Sequence, residues 1–167
     1  MKKLILVRHA KSDWGDANIS DHDRSLNERG LLNAPEMGKR LLKNGIRPQQ
    51  ILASSAIRAQ ETAKLIAAEL DYLDSDIFSE PRLYEAQVAD WLEVIGGLDD
   101  RWVSVMCIGH NPGVSDLAAG VFGQPVMDVP TCAVFTLDFA ATYWSEVPSS
   151  IPAAADYDYP KKKKPVN

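Results

Sequence analysis

The feature that most constrains the fold of this chain is the alternation of short apolar runs with amphipathic helical patterns. Residues 4–7 are four consecutive apolar residues, which is typical of a buried strand. The apolar runs at 50–54 and 102–108 predict further strands, and each is followed by apolar residues at helical spacing. Strands that alternate with helices imply a mostly parallel sheet covered on both faces. We therefore expect a three-layer α/β/α sandwich.

Four helices are expected between and after these strands. Asn27 is predicted to cap the first helix, in which Pro35 should introduce a kink or a restart. The others are predicted to begin after Ser55, near Val88 and at Pro112, where a proline at the first helical position is favoured.

The end of the sequence predicts an antiparallel edge and a tail. Residues 131–139 and 142–147 are expected to be two antiparallel strands with a tight connection, giving the sheet one antiparallel edge strand. Residues 1–148 are then one domain. Residues 149–167 are predicted to be an extended or poorly ordered tail, in which the lysine run at 161–164 is a solvated terminus.

Composition excludes several classes of protein. A chain of 167 residues with 46% hydrophobic and 25% charged residues fits one globular domain. A net charge of -5 argues against general nucleic-acid binding, and no apolar run is long enough to span a membrane. The apolar run near the first residue is too short for a signal peptide. Because Cys107 and Cys132 lie in apolar stretches, we expect buried free thiols and a cytoplasmic location.

Charged and aromatic polar residues follow three of the predicted strands. Arg8 and His9 end the first strand, Arg58 lies just beyond the second, and His110 follows the strand at 102–108. In a parallel sheet these junctions open on the same edge, where ligands of α/β proteins bind. Helix N-termini and arginines at that edge suit an anion. The sequence therefore predicts that these four residues meet in one site.

Two kinds of chemistry use histidines in such a site. Two histidines could ligate a metal, but Arg8 and Arg58 beside them are cations and disfavour one. A phosphoryl group accounts for all four residues together. Taken singly, each arginine is explained as a surface residue and each histidine as a structural hydrogen-bonding group. The third histidine, His22, is expected to be solvent-exposed or at the rim.

Three motifs resemble those of the histidine phosphatase superfamily, which has a phosphoglycerate mutase-like fold. They are Leu-Val-Arg-His-Ala-Lys-Ser at 6–12, Ser-Ser-Ala-Ile-Arg-Ala-Gln-Glu-Thr-Ala at 54–63 and Gly-His-Asn-Pro-Gly at 109–113. The combination is most similar to the SixA branch, the bacterial phosphohistidine phosphatases. Ala10 and Lys11 stand where phosphoglycerate mutases usually carry Gly-Glu, and no inserted segment is long enough to form a lid domain.

The resemblance implies a reaction through a phosphohistidine and assigns its residues. His9 is the expected nucleophile, while Arg8, Arg58 and His110 are expected to hold the phosphoryl oxygens. Glu85 is the candidate proton donor, although it is also explained as a residue preceding a helix. No metal or cofactor is implied.

Two further residues are candidates for binding phosphate. Ser12 and Asn111 could add hydrogen bonds to it, and Asn111 is equally explained as a helix cap. The expected partner is a phosphorylated protein with a phosphohistidine-bearing domain, because an open site suits a phosphate on a macromolecule. The alternatives are a small-molecule phosphomonoesterase or mutase, and a non-catalytic phosphoprotein-binding module. No nucleic-acid or membrane partner is expected.

Overall fold

Six strands form a single sheet in the order β3-β2-β4-β1-β5-β6 in the computed structural model, which describes residues 1–14 and 16–163. The strands are β1 (Lys2–Arg8), β2 (Gln50–Ala53), β3 (Ile77–Ser79), β4 (Ser104–Gly109), β5 (Val134–Phe139) and β6 (Ala154–Asp158). The first four are parallel to one another, while β5 is antiparallel to both of its neighbours. The mostly parallel sheet is confirmed.

Helices cover both faces of this sheet. They are α1 (Glu28–Lys43), α2 (Ile57–Glu69), α3 (Val88–Gly96) and α4 (Gly113–Asp116), the last of which continues as a π-helix over Leu117–Val121. Successive side chains of β1 alternate between the faces: Ile5 packs in the core that contains α1 and α2, and Leu6 in the core that contains α3 and α4. The predicted three-layer sandwich is therefore confirmed. In the described ranges, no helix is long and apolar enough to cross a membrane.

The local signals in the helices were mostly informative. The Asn27 side chain accepts a hydrogen bond from Gly30 N at 2.9 Å, so it caps α1 as predicted. Pro35 lies inside α1, and the helix does not restart there.

Cys107 and Cys132 are free and buried, and burial raises the pKa of each thiol to about 12.

The predicted strand at 142–147 is wrong. This segment contributes to a 3-10 helix over Trp144–Ser149, in which the Glu146 carboxylate accepts from the main-chain N–H groups of Thr142 and Tyr143. The fully buried indole of Trp144 donates to Trp102 O at 2.8 Å. The apolar residues of the segment are thus buried against the core, although they do not form a strand.

The antiparallel edge also differs from the prediction. The partner of β5 is β6, which comes from the segment predicted to be the tail. The antiparallel strand β5 is therefore second from the edge, and β6 is the edge strand. Of the lysine run at 161–164, Lys164 lies outside the described residues.

Candidate active site

The pairing of β1 with β4 brings the two motif histidines together. Arg8 pairs in register with Gly109, so His9 and His110 follow equivalent positions on neighbouring parallel strands. The main-chain N–H of His9 donates to Gly109 O at 2.9 Å, which extends the pairing past the strand ends. The centroids of the two imidazole rings are 4.9 Å apart.

The glycines on either side of His110 make room for Trp91. A Cβ atom at Gly109 would lie 2.3 Å from Cζ2 of Trp91, and one at Gly113 would lie 2.7 Å from its Nε1. Trp91 is fully buried on α3. Its indole therefore supports the segment that carries His110, and only residues without a side chain fit at these two positions.

A backbone contact fixes the protonation of His9. Its Nδ1 lies 2.6 Å from Ala10 O, and because a carbonyl only accepts, Nδ1 carries the proton and Nε2 keeps its lone pair. The Ala10 N–H in turn donates to Thr62 Oγ1 at 3.0 Å, and that hydroxyl donates to Arg58 O at 2.7 Å. The loop after β1 is thereby held against α2, the helix that carries Arg58.

Burial keeps both imidazoles neutral. The pKa of His9 is lowered to about 4, first by burial and then by the nearby cations Arg58 and Arg8. The pKa of His110 is lowered to about 3, again mainly by burial, with further contributions from His9 and Arg58. At neutral pH, His9 therefore holds an unprotonated Nε2, as a nucleophile requires.

Three buried nitrogen atoms beside His9 have no hydrogen-bond partner within the described part of the chain. They are Arg8 Nε, Arg58 Nε and His110 Nδ1. The remaining contacts are made: Arg8 Nη1 donates to Val129 O at 2.7 Å, and His110 Nε2 lies 2.7 Å from Ser54 Oγ. Buried donors without partners are costly and rare. The guanidinium groups of Arg8 and Arg58 are positively charged, which suits the oxygens of a bound anion.

All seven residues predicted for the site line one pocket of about 690 Å³. They are Arg8, His9, Ser12, Arg58, Glu85, His110 and Asn111. The structure therefore brings together residues from the ends of β1 and β4, the start of α2 and the loop before α3.

Ser12 and Asn111 are already hydrogen-bonded within the protein. Ser12 Oγ accepts from Arg24 Nη1 at 2.8 Å, which leaves its own hydroxyl hydrogen for another acceptor. Asn111 Oδ1 accepts from the N–H and hydroxyl of Ser115, and its Nδ2 donates to Val129 O. The N-cap of α4 is Pro112, so Asn111 lies one residue before the cap and binds the first turn of the helix through Ser115.

Glu85 lines the pocket, and His22 lies beside the pocket against Tyr84. Glu85 is exposed and has a φ of 52°, in the left-handed region that residues other than glycine rarely adopt. Such backbone strain is often found at functional sites. His22 is half-buried, with Nε2 3.0 Å from Ser55 Oγ and its ring edge-on to Tyr84, as expected for a residue at the rim.

Sequence analysis missed three residues that shape the pocket. Asp21, Arg24 and Tyr84 all line it, and Asp21 contacts both of the others and Arg58. The only signal for Asp21 and Arg24 was their position in the long polar loop after His9, because such loops are usually functional or disordered. Burial and the Asp21 contact raise the pKa of Tyr84 to about 12, so its hydroxyl stays protonated.

The described residues offer an anion site and no cluster of metal ligands. Among residues 1–14 and 16–163, no group of three or more His, Cys, Asp or Glu side chains could hold a metal ion. The two central histidines are instead flanked by the guanidinium groups of Arg8 and Arg58. Arginine binds phosphate through paired N–H groups, so these two side chains suit a phosphate in the pocket.

Known proteins give the family of this chain. A model of the histidine phosphatase superfamily (branch 1) matches residues 4–95. An uncharacterised chloroplastic protein of Arabidopsis thaliana is 33% identical over 153 residues, which cover 87% of this chain and 70% of that protein. The mitochondrial serine/threonine-protein phosphatase Pgam5 of Drosophila persimilis is 41% identical over 71 residues, which cover 42% of this chain and 24% of Pgam5.

A solved structure agrees with the sequence relatives. A protein from Agrobacterium tumefaciens, assigned to the SixA phosphohistidine phosphatases, superposes with a TM-score of 0.80 at 25% identity, covering 95% of this chain and 98% of that one. The motifs, the site and these relatives support a phosphatase activity. The chain belongs to the histidine phosphatase superfamily, and its structure is of the SixA type.

Proposed function

We propose that this protein removes the phosphoryl group from phosphohistidine on a protein substrate, by way of a covalent phosphohistidine on its own His9. The observation that carries the proposal is the contact of His9 Nδ1 with Ala10 O at 2.6 Å, which leaves Nε2 unprotonated in a pocket lined by cations. A pKa of about 4 keeps the ring neutral at physiological pH, so that its lone pair is available to attack phosphorus.

The first step transfers the phosphoryl group to His9. The Nε2 lone pair forms a bond to phosphorus while the bond from phosphorus to the substrate nitrogen breaks, and its electron pair stays on the departing imidazole. That nitrogen takes a proton from the carboxyl group of Glu85, which lines the pocket. Because imidazole is a better leaving group than an alkoxide, the step demands less of Glu85 than ester cleavage does.

The second step returns His9 to its starting state. A water molecule attacks phosphorus, the bond from phosphorus to Nε2 breaks, and inorganic phosphate forms. Glu85, now ionised, takes the proton that the water loses. Each turnover therefore consumes one water and leaves the enzyme unchanged.

Arg8, Arg58 and His110 stabilise the charge that moves onto the phosphoryl oxygens. Their side chains line the same pocket as His9 and supply donors to the phosphoryl group, and Ser12 can add its hydroxyl hydrogen. Fixed donors of this kind provide most of the catalysis in phosphoryl transfer.

The pocket mouth supports a protein substrate. Trp14, on its lining, is 84% exposed, with the guanidinium of Arg24 4.2 Å from the ring centroid. An exposed aromatic side chain next to a pocket lined by arginines suits contact with a second macromolecule. The likeness to a SixA protein points to the same substrate class. We propose a phosphohistidine-bearing domain as the partner.

A comparison of substrates tests the proposal. We expect the wild-type protein to hydrolyse a phosphohistidine-bearing domain with a higher kcat/KM than a phosphoserine peptide or a panel of small phosphate esters. The His22→Asn variant, which changes a histidine at the rim, should keep this preference. A strong preference for one metabolite would contradict the proposal in favour of a small-molecule phosphatase or mutase. A preference for phosphoserine would favour a serine/threonine-protein phosphatase activity, as named for Pgam5. Binding of the substrate without turnover would favour a non-catalytic binding module.

A further inference from the structure

The side chain of Asp21 links three separate parts of the pocket wall. It begins the short 3-10 helix Asp21–Asp23, in the loop between β1 and α1. Its Oδ2 accepts from the Tyr84 hydroxyl at 2.7 Å and from Arg58 Nη2 at 3.1 Å, while Oδ1 accepts from Arg24 Nε and Nη2 at 3.1 and 3.0 Å. One carboxylate thus connects the polar loop, the first turn of α2 and the loop before α3.

Asp21 binds both terminal nitrogens of the Arg58 guanidinium. Its main-chain oxygen accepts from Arg58 Nη1 at 2.7 Å, and its carboxylate accepts from Nη2, so both terminal nitrogens are held by one residue. Arg58 Nε has no partner within the described ranges. A guanidinium carries five N–H donors. One hydrogen on each terminal nitrogen therefore remains for phosphoryl oxygens.

The same carboxylate orients Arg24 and, through it, Ser12. Arg24 Nη1 donates to Ser12 Oγ at 2.8 Å and to Asp13 O at 3.0 Å, while the other side of the guanidinium binds Asp21. The Tyr84 hydrogen bond and the two arginines hold the pKa of Asp21 well below its usual range, so the carboxylate is ionised wherever the enzyme is active.

We propose that Asp21 is a positioning residue, whose carboxylate fixes the Arg58 guanidinium and the Tyr84 hydroxyl in the arrangement that binds the transferred phosphoryl group. This inference rests on the proposed role of Arg58 in binding phosphate. The alternative role for such a carboxylate is competition with the substrate for Arg58. The geometry opposes competition, because each terminal nitrogen of Arg58 gives Asp21 only one of its two hydrogens.

The two roles predict opposite effects of Asp21→Asn. The amide has the shape of the carboxylate, but it lacks the charge and turns an N–H₂ group toward arginine or tyrosine donors. If Asp21 positions Arg58, kcat should fall by roughly 10- to 100-fold, because a small misplacement of a group that binds the transition state lowers the rate by this order. The affinity for anions should fall as well. Asp23→Asn is the matched control, because Asp23 lies in the same 3-10 helix and, among the described residues, its carboxylate makes its polar contact with His22, at 3.4 Å.

The experiment measures tungstate affinity by calorimetry, together with kcat and KM for phosphohistidine, on the full chain. We expect Asp21→Asn to weaken tungstate binding and lower kcat, Asp23→Asn to match wild type, and Tyr84→Phe to show a smaller change in the same direction. Melting temperatures accompany each measurement. If Asp21→Asn does not fold, the comparison of Tyr84→Phe with Asp23→Asn decides the question.

Two results overturn the inference. One is an Asp21→Asn variant that binds tungstate as tightly as wild type or more tightly. Equal affinity would mean that the carboxylate has no effect on anion binding, and higher affinity that it competes with the anion. The other is an equal loss in Asp21→Asn and Asp23→Asn. A wild-type protein that binds tungstate but leaves phosphohistidine intact refutes the proposed function, and the tungstate affinities still decide the role of Asp21.

Discussion

At the scale of single residues, His9 owes its proposed reactivity to burial and to one carbonyl group. Burial penalises the charged form of the ring, and the Ala10 carbonyl selects the tautomer with the proton on Nδ1. Neither effect needs an acidic partner such as the aspartate of a catalytic triad. The nearby arginines act in the same direction, since they disfavour a second positive charge.

The pH dependence of kcat/KM follows from this environment. Protonation of His9 removes the Nε2 lone pair, and its pKa is lowered from 6.5 to about 4. The acidic limb of the profile, which His9 controls, should therefore have its midpoint near the lowered value. The measurement is kcat/KM between pH 3.5 and 8, corrected for uncatalysed hydrolysis of the acid-labile substrate. A midpoint near 6.5 would contradict a buried neutral nucleophile.

Sequence reasoning found the residues of the site that follow strands directly. Arg8, His9 and His110 stand next to strong strand signals, so topology alone brings them together. Asp21 and Tyr84 could not be found in this way. Their side chains meet across 63 positions of sequence, and both come from loops whose course depends on tertiary contacts.

At the scale of elements, the packing of α3 against β4 decides where His110 lies. Trp91 fills the space beside Gly109 and Gly113, so the helix supports the strand end through one large side chain. Interiors are packed too tightly for an added methyl group at such a contact to be absorbed without a shift.

A substitution at Gly109 tests this packing. Gly109→Ala should destabilise the fold by about 1–3 kcal/mol, the usual cost of overpacking, and should displace His110. Gly120→Ala is the matched control, because a Cβ atom there would meet nothing within 4 Å. Denaturant unfolding measures the stability of both variants, and kcat the effect on the site. Equal stability of the two variants would contradict the account.

The elements that the sequence predicted best are those buried on both sides. The runs that form β1 and β4 are almost wholly buried, and burial makes them continuous apolar signals. By contrast, β6 has no buried residue and consists of Ala, Asp and Tyr. Its formation depends on pairing with β5 and on the stacking of Tyr157 on Phe135, with ring centroids 4.4 Å apart, which local sequence does not reveal.

At the scale of the whole molecule, the site lies where the chain changes direction across the sheet. From β1 the chain moves to β2 on one side, and from the adjacent β4 it moves to β5 on the other side. Ligands of open α/β sheets bind at such a point, next to the carboxyl ends of the strands. His9 and His110 occupy this position, and the loops that carry Asp21 and Glu85 complete the wall around it.

The same topology separates stability from function in this protein. Both cores are apolar and lie to either side of the sheet, while Arg8, Arg24 and Arg58 line the pocket at one edge. A variant at that edge should therefore change chemistry before it changes folding. This separation allows the nucleophile to be replaced in a folded protein.

The central claim is that the phosphoryl group passes through His9, and trapping the phosphoenzyme tests it most directly. The full chain would be mixed with a phosphohistidine substrate, quenched in alkali and mapped by mass spectrometry. We predict one phosphoryl group on His9, stable in base and lost in acid, absent from His9→Asn and present in His22→Asn. A phosphoryl group on another residue, or undiminished turnover by His9→Asn, would contradict the account.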